Sequence, residues 1–319
     1  MKFSAGGKKQ RQKKAALFLF MLLFFVYFVY AEDTAENPAE NPAETSSAYR
    51  ENGSLYLGNP SGAEADPETH FDNFLMIKNG YALSYNKTKL IPNWVSWHLE
   101  ESDLGDIKRK NDFRADPALP ENWYAVRGGS ERRVAHEAAE SDYRFSIYGF
   151  DRGHLCPAGD RTKNGELNSE TFLMTNMVPQ SPKNNRHTWR LLEEACRSFA
   201  KNGKELYIIC GPAGRGGASQ KGFFESIPAG ESGFAIEVPA YTWKVVLVLE
   251  CGNNDLLRIN EQTSVIAVYI PNSEDCTLAW YKYVLSVREL EILTGYDFFA
   301  ELPDDTEDFL ENIRFQYVE

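Results

Sequence analysis

The sequence predicts an α+β fold, a central and largely antiparallel sheet flanked by helices. Two observations carry this: many short apolar runs read as strands with only a few stretches at helical spacing between them, and the two kinds do not strictly alternate. Aromatic residues make up 13% of the 319 residues, enough to build a substantial core in the body of the chain.

Residues 1–14 carry Lys2, Lys8, Lys9, Arg11, Lys13 and Lys14 with no acid, and residues 15–31 are uncharged and strongly apolar. This is the pattern of an export signal. Val29 and Ala31 put small residues at the −3 and −1 positions of a cut before Glu32, which favours a cleaved signal peptide. The apolar run also reaches the lower limit of about 17–25 residues for a membrane span, so the alternative is a signal anchor, a membrane tether through residues 15–31. Either way the folded part is expected outside the cytoplasm, secreted or periplasmic, or held at the membrane. Residues 32–66 contain a tandem Ala-Glu-Asn-Pro repeat followed by Ser, Gly and further acids, and read as a disordered acidic linker. Residues 67–319 are left as the folded domain.

Within that domain, 74–77, 80–85 and 94–99 read as short strands separated by turn residues. Residues 112–123 form a loop, marked by Asp116-Pro117 and Leu119-Pro120. Residues 144–148 read as a strand, and 171–176 as a second apolar stretch. Trp189, Leu192, Cys196 and Phe199 fall at helical spacing, which predicts a helix over 188–200. Strands follow at 205–210, 234–238, 243–250 and 264–270, and a helix over 286–293 is closed by Gly295.

Removing the six bases of residues 1–31 takes the formal charge from −12 to −18. Such an acidic body argues against broad electrostatic adhesion to a polyanion. Locally, residues 151–201 carry an excess of bases, which predicts a basic strip able to hold a phosphate backbone. Cys156, Cys196, Cys210, Cys251 and Cys276 follow no Cys-x-x-Cys pattern. Up to two disulfides, or buried free thiols, are the open readings.

The segment Tyr148-Gly149-Phe150-Asp151-Arg152-Gly153-His154 brings a strand end, a bend and a histidine together, with His154 expected at the exposed end of one hairpin arm. A histidine of near-neutral pKa can take a proton from water at physiological pH. His70, His98 and His136 read as structural. Downstream, Asn185, Trp189 and Glu193 stand at i, i+4 and i+8 and share one side of a helix. Asn185 offers a carbonyl oxygen to a hard cation, and Glu193 can bind that ion's water; magnesium suits so sparse a site because it keeps several waters. The plain alternative is that Asn184 or Asn185 caps the helix. Arg197, four residues after Glu193, predicts a helix ion pair.

Asp151-Arg152-Gly153-His154, residues 176–180, Asn185, Trp189 and Glu193 together resemble the DNA/RNA non-specific endonuclease family, which includes endonuclease G and carries a ββα-metal active site. The resemblance spans about residues 70–300. It implies a phosphodiester hydrolase acting on DNA and RNA without regard to sequence and leaving 5′-phosphate ends. It implies His154 as general base, Asn185 as metal ligand, and a hydrated Mg2+, with Mn2+ able to substitute. Arg152, Glu193 and an upstream arginine join the catalytic set, and Arg109 is preferred over Arg114 for the last. Lys183, Arg186 and Arg190 are the expected substrate-binding bases. Two competing readings are a zinc-binding module built from His154, Cys156, His187 and Cys196, and a domain that binds nucleic acid without cutting.

Overall fold

The computed structural model describes residues 53–130, 140–230 and 233–317. The export segment, the first part of the linker and His136 lie outside the described residues.

The chain opens with β1 (Phe74–Ile77), β2 (Ala82–Asn86) and β3 (Ile91–Leu99), then a long irregular stretch, α1 (Phe145–Tyr148) and β4 (Asp151–His154). Next come α2 (Gly165–Glu170), β5 (Met177–Gln180), a π-helical turn at Asn184–Trp189 and α3 (Arg190–Lys201). β6 (Lys204–Ala213) is followed by short ribbon strands β7 (Gly217–Ser219), β8 (Gly222–Phe224), β9 (Ser226–Ala229) and β10 (Phe234–Glu237). The chain closes with β11 (Tyr241–Glu250), α4 (Asp255–Arg258), β12 (Ser264–Pro271), β13 (Val284–Leu285), α5 (Val287–Thr294) and α6 (Asp304–Asn312).

Seven strands form the central sheet in the order β1-β2-β3-β6-β11-β12-β13, every pair antiparallel. This is the expected α+β architecture. Its middle strands are apolar almost throughout because both faces are covered. Successive side chains of a strand point to opposite faces: on β11, Val246 packs into one buried cluster while Val245 and Leu247 pack into the other. The first cluster takes Trp189, Leu192, Cys196 and Ala200 of the π turn and α3, and the second takes Val287 and Leu290 of α5 with Leu310 of α6. The two helical groups therefore lie on opposite faces.

Several expectations change. Residues 144–148 are not a strand: Phe145–Tyr148 is one helical turn between two left-handed residues, Arg144 (φ 36°) and Gly149 (φ 72°). Glycine tolerates that conformation without strain, and the bend it permits overrides the apolar run. The linker also ends sooner than composition suggests. Leu55 and Ala63 are buried, Ser61 Oγ accepts from Trp94 Nε1 at 2.8 Å, and Glu64 pairs with Phe74 beside β1. Averaging over an acidic window hid these few apolar anchors. The 234–238 strand exists, but pairs with β9 in a separate ribbon. All five cysteines are free thiols, four of them buried. Among the described residues no helix is long and apolar enough to cross a membrane.

Candidate active site

The site is built on a small antiparallel pair. β4 and β5 pair with His154 opposite Met177 and Asp151 opposite Gln180. Gly153 is required here by space: a Cβ at that position would stand 2.1 Å from Gln180 Oε1. Asn176, wholly buried, bolts the pair, taking the Cys156 backbone N–H on its Oδ1 at 2.9 Å and donating to the Cys156 and Thr171 carbonyls at 2.8 Å each. The chain then enters the π turn, a wide local geometry often found at functional positions. Asn184 does not cap this helix. Its amide donates to Thr242 and to the Pro271 carbonyl at 3.0 Å each and accepts from Gln180, fastening the helix to the sheet. The start of the helix is thus fastened to the strand pair where Asn185 bonds to Asp151 of β4.

His154 is buried rather than exposed. Phe113 and Phe172 meet its ring edge-on, with centroids 5.4 and 4.9 Å away, and Nε2 has no hydrogen-bond partner. Burial holds its pKa well below 6.5, and the Arg109 and Arg152 cations push the same way. The imidazole is therefore neutral at physiological pH, with a basic or donor nitrogen held in place and unused.

Asn185 is oriented by Asp151, whose Oδ2 accepts from its side-chain nitrogen at 2.9 Å. That bond leaves the amide oxygen as the donor atom for a cation. Asp151 also takes a bidentate contact from Arg186, at 2.8 and 2.6 Å. Asn185, Arg186, Arg109 and Arg152 all line one cleft of about 440 Å3, with Phe145 at its edge, 48% exposed. Arg109 stacks on Phe172 at 4.8 Å and Arg152 on Phe113 at 3.7 Å, so the two aromatic rings that enclose His154 also position both cations. Arg114 does otherwise, binding Asp112 and the Ser169 carbonyl outside this cleft. Of the two upstream arginines, Arg109 is the one brought to His154.

Glu193 has a side chain only 13% exposed. Burial raises its pKa to about 7, against the pull of Lys244 and Arg197, with Asp160 raising it further and Arg109 lowering it. The expected Glu193–Arg197 pair is loose at 3.9 Å; the closer partner of Arg197 is Asp160 at 2.8 Å. Lys244 escaped the sequence reading. It is 1% exposed in the middle of β11, with its Nζ 4.3 Å from the Trp189 ring and 5.1 Å from that of Trp97. A lysine inside Thr-Trp-Lys-Val-Val-Leu-Val-Leu was the available signal, since a central strand does not bury a charge without a use for it.

Not every expected base reaches the cleft. Arg190 pairs with Glu194 along the helix surface, and neither it nor Lys183 lines the cleft. Arg161 and Arg197 are held inside by Gly80, His98 and Asp160, so the basic strip is narrower than its composition: Arg109, Arg152 and Arg186 supply the charge. The zinc reading also falls, because His154, Cys156, His187 and Cys196 form no metal-sized group among the described residues, and His187 is exposed.

Known proteins resemble this chain in sequence and in fold. The profile of the DNA/RNA non-specific endonuclease family matches residues 63–305. A protein of Nostoc sp. named nuclease is 44% identical over 258 residues, covering 81% of this chain and 84% of its own length. Human mitochondrial nuclease EXOG is 30% identical, covering 72% of this chain and 57% of its own, and human mitochondrial endonuclease G is also 30% identical, covering 69% and 68%. A crystal structure of an EndoG/EndoGI complex superposes with a TM-score of 0.58 at 22% identity, over 82% of this chain and 95% of that one, which is a likeness of fold.

Proposed function

From the chain's membership of the DNA/RNA non-specific endonuclease family, we propose that it hydrolyses phosphodiester bonds of DNA and RNA irrespective of sequence, with His154 as general base and magnesium as cofactor. The observation that carries this reading is the neutral imidazole of His154, enclosed by Phe113 and Phe172 and near the Arg109 and Arg152 cations that line the cleft with Asn185.

The residues fit the cofactor. Asn185 offers a neutral oxygen, and Glu193 lies near enough to Arg109 of the same cleft to feel its charge; a hydrated magnesium needs few protein ligands, and manganese can replace it. When bound, the ion supplies charge neutralisation at the phosphate and at the departing 3′ oxygen. The chain's own groups do the rest. The neutral imidazole of His154 removes the proton of the attacking water, and Phe113 and Phe172 hold the ring edge-on. Arg152 and Arg109 stabilise the extra negative charge of the transition state. A phosphate between them also offsets the two charges that depress His154, so its basicity rises when substrate arrives. Arg186, locked by Asp151, faces the backbone beside Phe145, which can stack on any base, consistent with indifference to sequence.

The test is plasmid and RNA digestion with magnesium, with EDTA, and with His154→Ala. The wild-type protein should cut both in magnesium only, and His154→Ala should lose about 10²–10⁴-fold in rate. Intact plasmid after wild-type treatment in magnesium would sink the proposal and favour binding without cleavage. We further place the domain outside the cytoplasm, on the basic-then-apolar residues 1–31. N-terminal sequencing of protein recovered from culture separates the two forms: a mature start at Glu32 means cleavage, and an intact start in the membrane fraction means an anchor.

A further inference from the structure

The single turn α1 holds an aromatic ring out of the fold at the lip of the cleft. It is bracketed by Gly149 and by Arg144, a non-glycine residue at φ 36°, a conformation that costs free energy and persists only where its surroundings impose it. The surroundings here are the β7–β8 hairpin. Ser219 Oγ donates to the Tyr148 carbonyl at 2.6 Å, the Tyr148 ring meets Phe224 edge-on with centroids 5.4 Å apart, and a Cβ on Gly149 would stand 2.9 Å from Ser219 Oγ. With its last residue pinned in this way, the turn leaves Phe145 and Ile147 48% and 53% exposed. Phe145 lines the cleft, and Ile147 does not.

Cations surround the Phe145 ring. Arg186, held by Asp151, has its guanidinium 5.4 Å from the ring centroid, Arg109 and Arg152 share the cleft, and exposed Lys221 lies against Gly149 at the end of the turn. A flat apolar face among positive charges is complementary to a nucleotide, which offers a flat base and a phosphate together. A duplex meets only half of that demand, because its phosphates are outside while its bases are paired and stacked on one another, and freeing one costs the unpairing. On charge alone the cleft favours duplex, whose charge density is higher and which releases more counterions per contact than a single strand. A preference for single strands therefore has to come from the ring.

We propose that Phe145 determines which form of nucleic acid the cleft takes: its ring stacks on an unpaired base beside the phosphate held by Arg109, Arg152 and Arg186, so that single-stranded DNA and RNA are cut in preference to duplex. This rests on the hydrolase reading above and adds the state of the substrate to it. The base is held by its face, which every base has, so the preference is for an unpaired strand and carries no sequence.

The experiment compares kcat/KM in magnesium on a short oligothymidine strand and on the same strand paired with oligoadenine, alongside anisotropy of both, fluorescently labelled, on the His154→Ala protein. The wild type should favour the single strand by about tenfold, the worth of one stacked base, mainly through KM. Phe145→Ala and Phe145→Leu should bring the ratio to one or below, and Phe145→Trp should keep it. Ile147→Ala, exposed on the same turn but outside the cleft, should keep it as well. Phe145 is half exposed, so its variants should melt with the native protein. Equal rates on the two forms in the wild type, a preference that survives in Phe145→Leu, or one lost equally in Ile147→Ala would overturn the proposal. If the wild type cut neither form, the hydrolase reading would fall, and anisotropy alone would decide the stacking: tighter binding of the single strand that is lost with Phe145→Leu upholds it, and binding indifferent to Phe145 rejects it.

Discussion

Glu193 and Glu311 are both carboxylates on helices, packed against opposite faces of one sheet, and burial raises the proton affinity of both, to about 7 and about 8. Their neighbours differ. Around Glu193 the chain has arranged Lys244, Arg197 and Arg109, three cations drawn from β11, α3 and the irregular stretch before α1. Around Glu311 it has placed Glu291 and Glu307, with Arg288 alone opposing them. The same desolvation is thus countered by protein charges in one place and left largely uncountered in the other. The cations around Glu193 favour its ionised form, whereas the carboxylates around Glu311 favour its protonated form, with Arg288 set against them.

The sharpest way to break this comparison is to remove the counterion that no surface position could supply. Lys244→Met keeps a side chain of similar length against Trp97 and Trp189, so the core stays filled. The lysine favours the ionised form of Glu193, so its loss moves that pKa above 7. Cleavage measured against pH should then show an acid limb displaced upward by about one unit, which is about a tenfold loss at pH 7. At pH 9 the rate should recover, and the KM for DNA should hold, because Lys244 does not line the cleft. A loss equal at every pH would mean that Lys244 is only structural and that the comparison fails on its active-site side.

What the sequence made legible follows from how local each signal is. β4 and the glycine bend before it are short-range signals and lie in the segment that carries the motif, whereas the Asn185–Glu193 spacing assumed one regular helix and the π turn at Asn184–Trp189 interrupts it. Arg109 was less secure because its place depends on stacking against Phe172, a contact across more than sixty positions that no local pattern encodes. Long-range partners were missed for the same reason: Phe113 beside His154, Asp160 holding Arg197, and Lys244 beneath Trp189. Asp151 stood in the motif, yet its work of orienting Asn185 needed the register of β4 against the helix to be seen. Residues 144–148 misled in the opposite direction, since an apolar pentapeptide fits a strand until Gly149 is known to bend left-handed. The acidic pair of α5 and α6 gave no sign at all, because Glu291 and Glu311 are twenty positions apart on different helices.

The comparison is sharpened on its other side by Glu311→Gln, assayed for stability against pH. In the unfolded chain this carboxyl titrates near 4.5, and in the folded protein near 8. Between those values the folded state keeps a proton that the unfolded state releases, so stability is greatest below about pH 4.5 and falls as pH rises toward 8. Glutamine mimics the protonated carboxyl at every pH. In EDTA the substitution should therefore raise the Tm by about 2–4 °C at pH 8.5 and leave it unchanged at pH 4.5. A variant less stable than wild type at pH 8.5 in EDTA would show that Arg288 alone already compensates Glu311, and the contrast between the two buried glutamates would then be one of degree only.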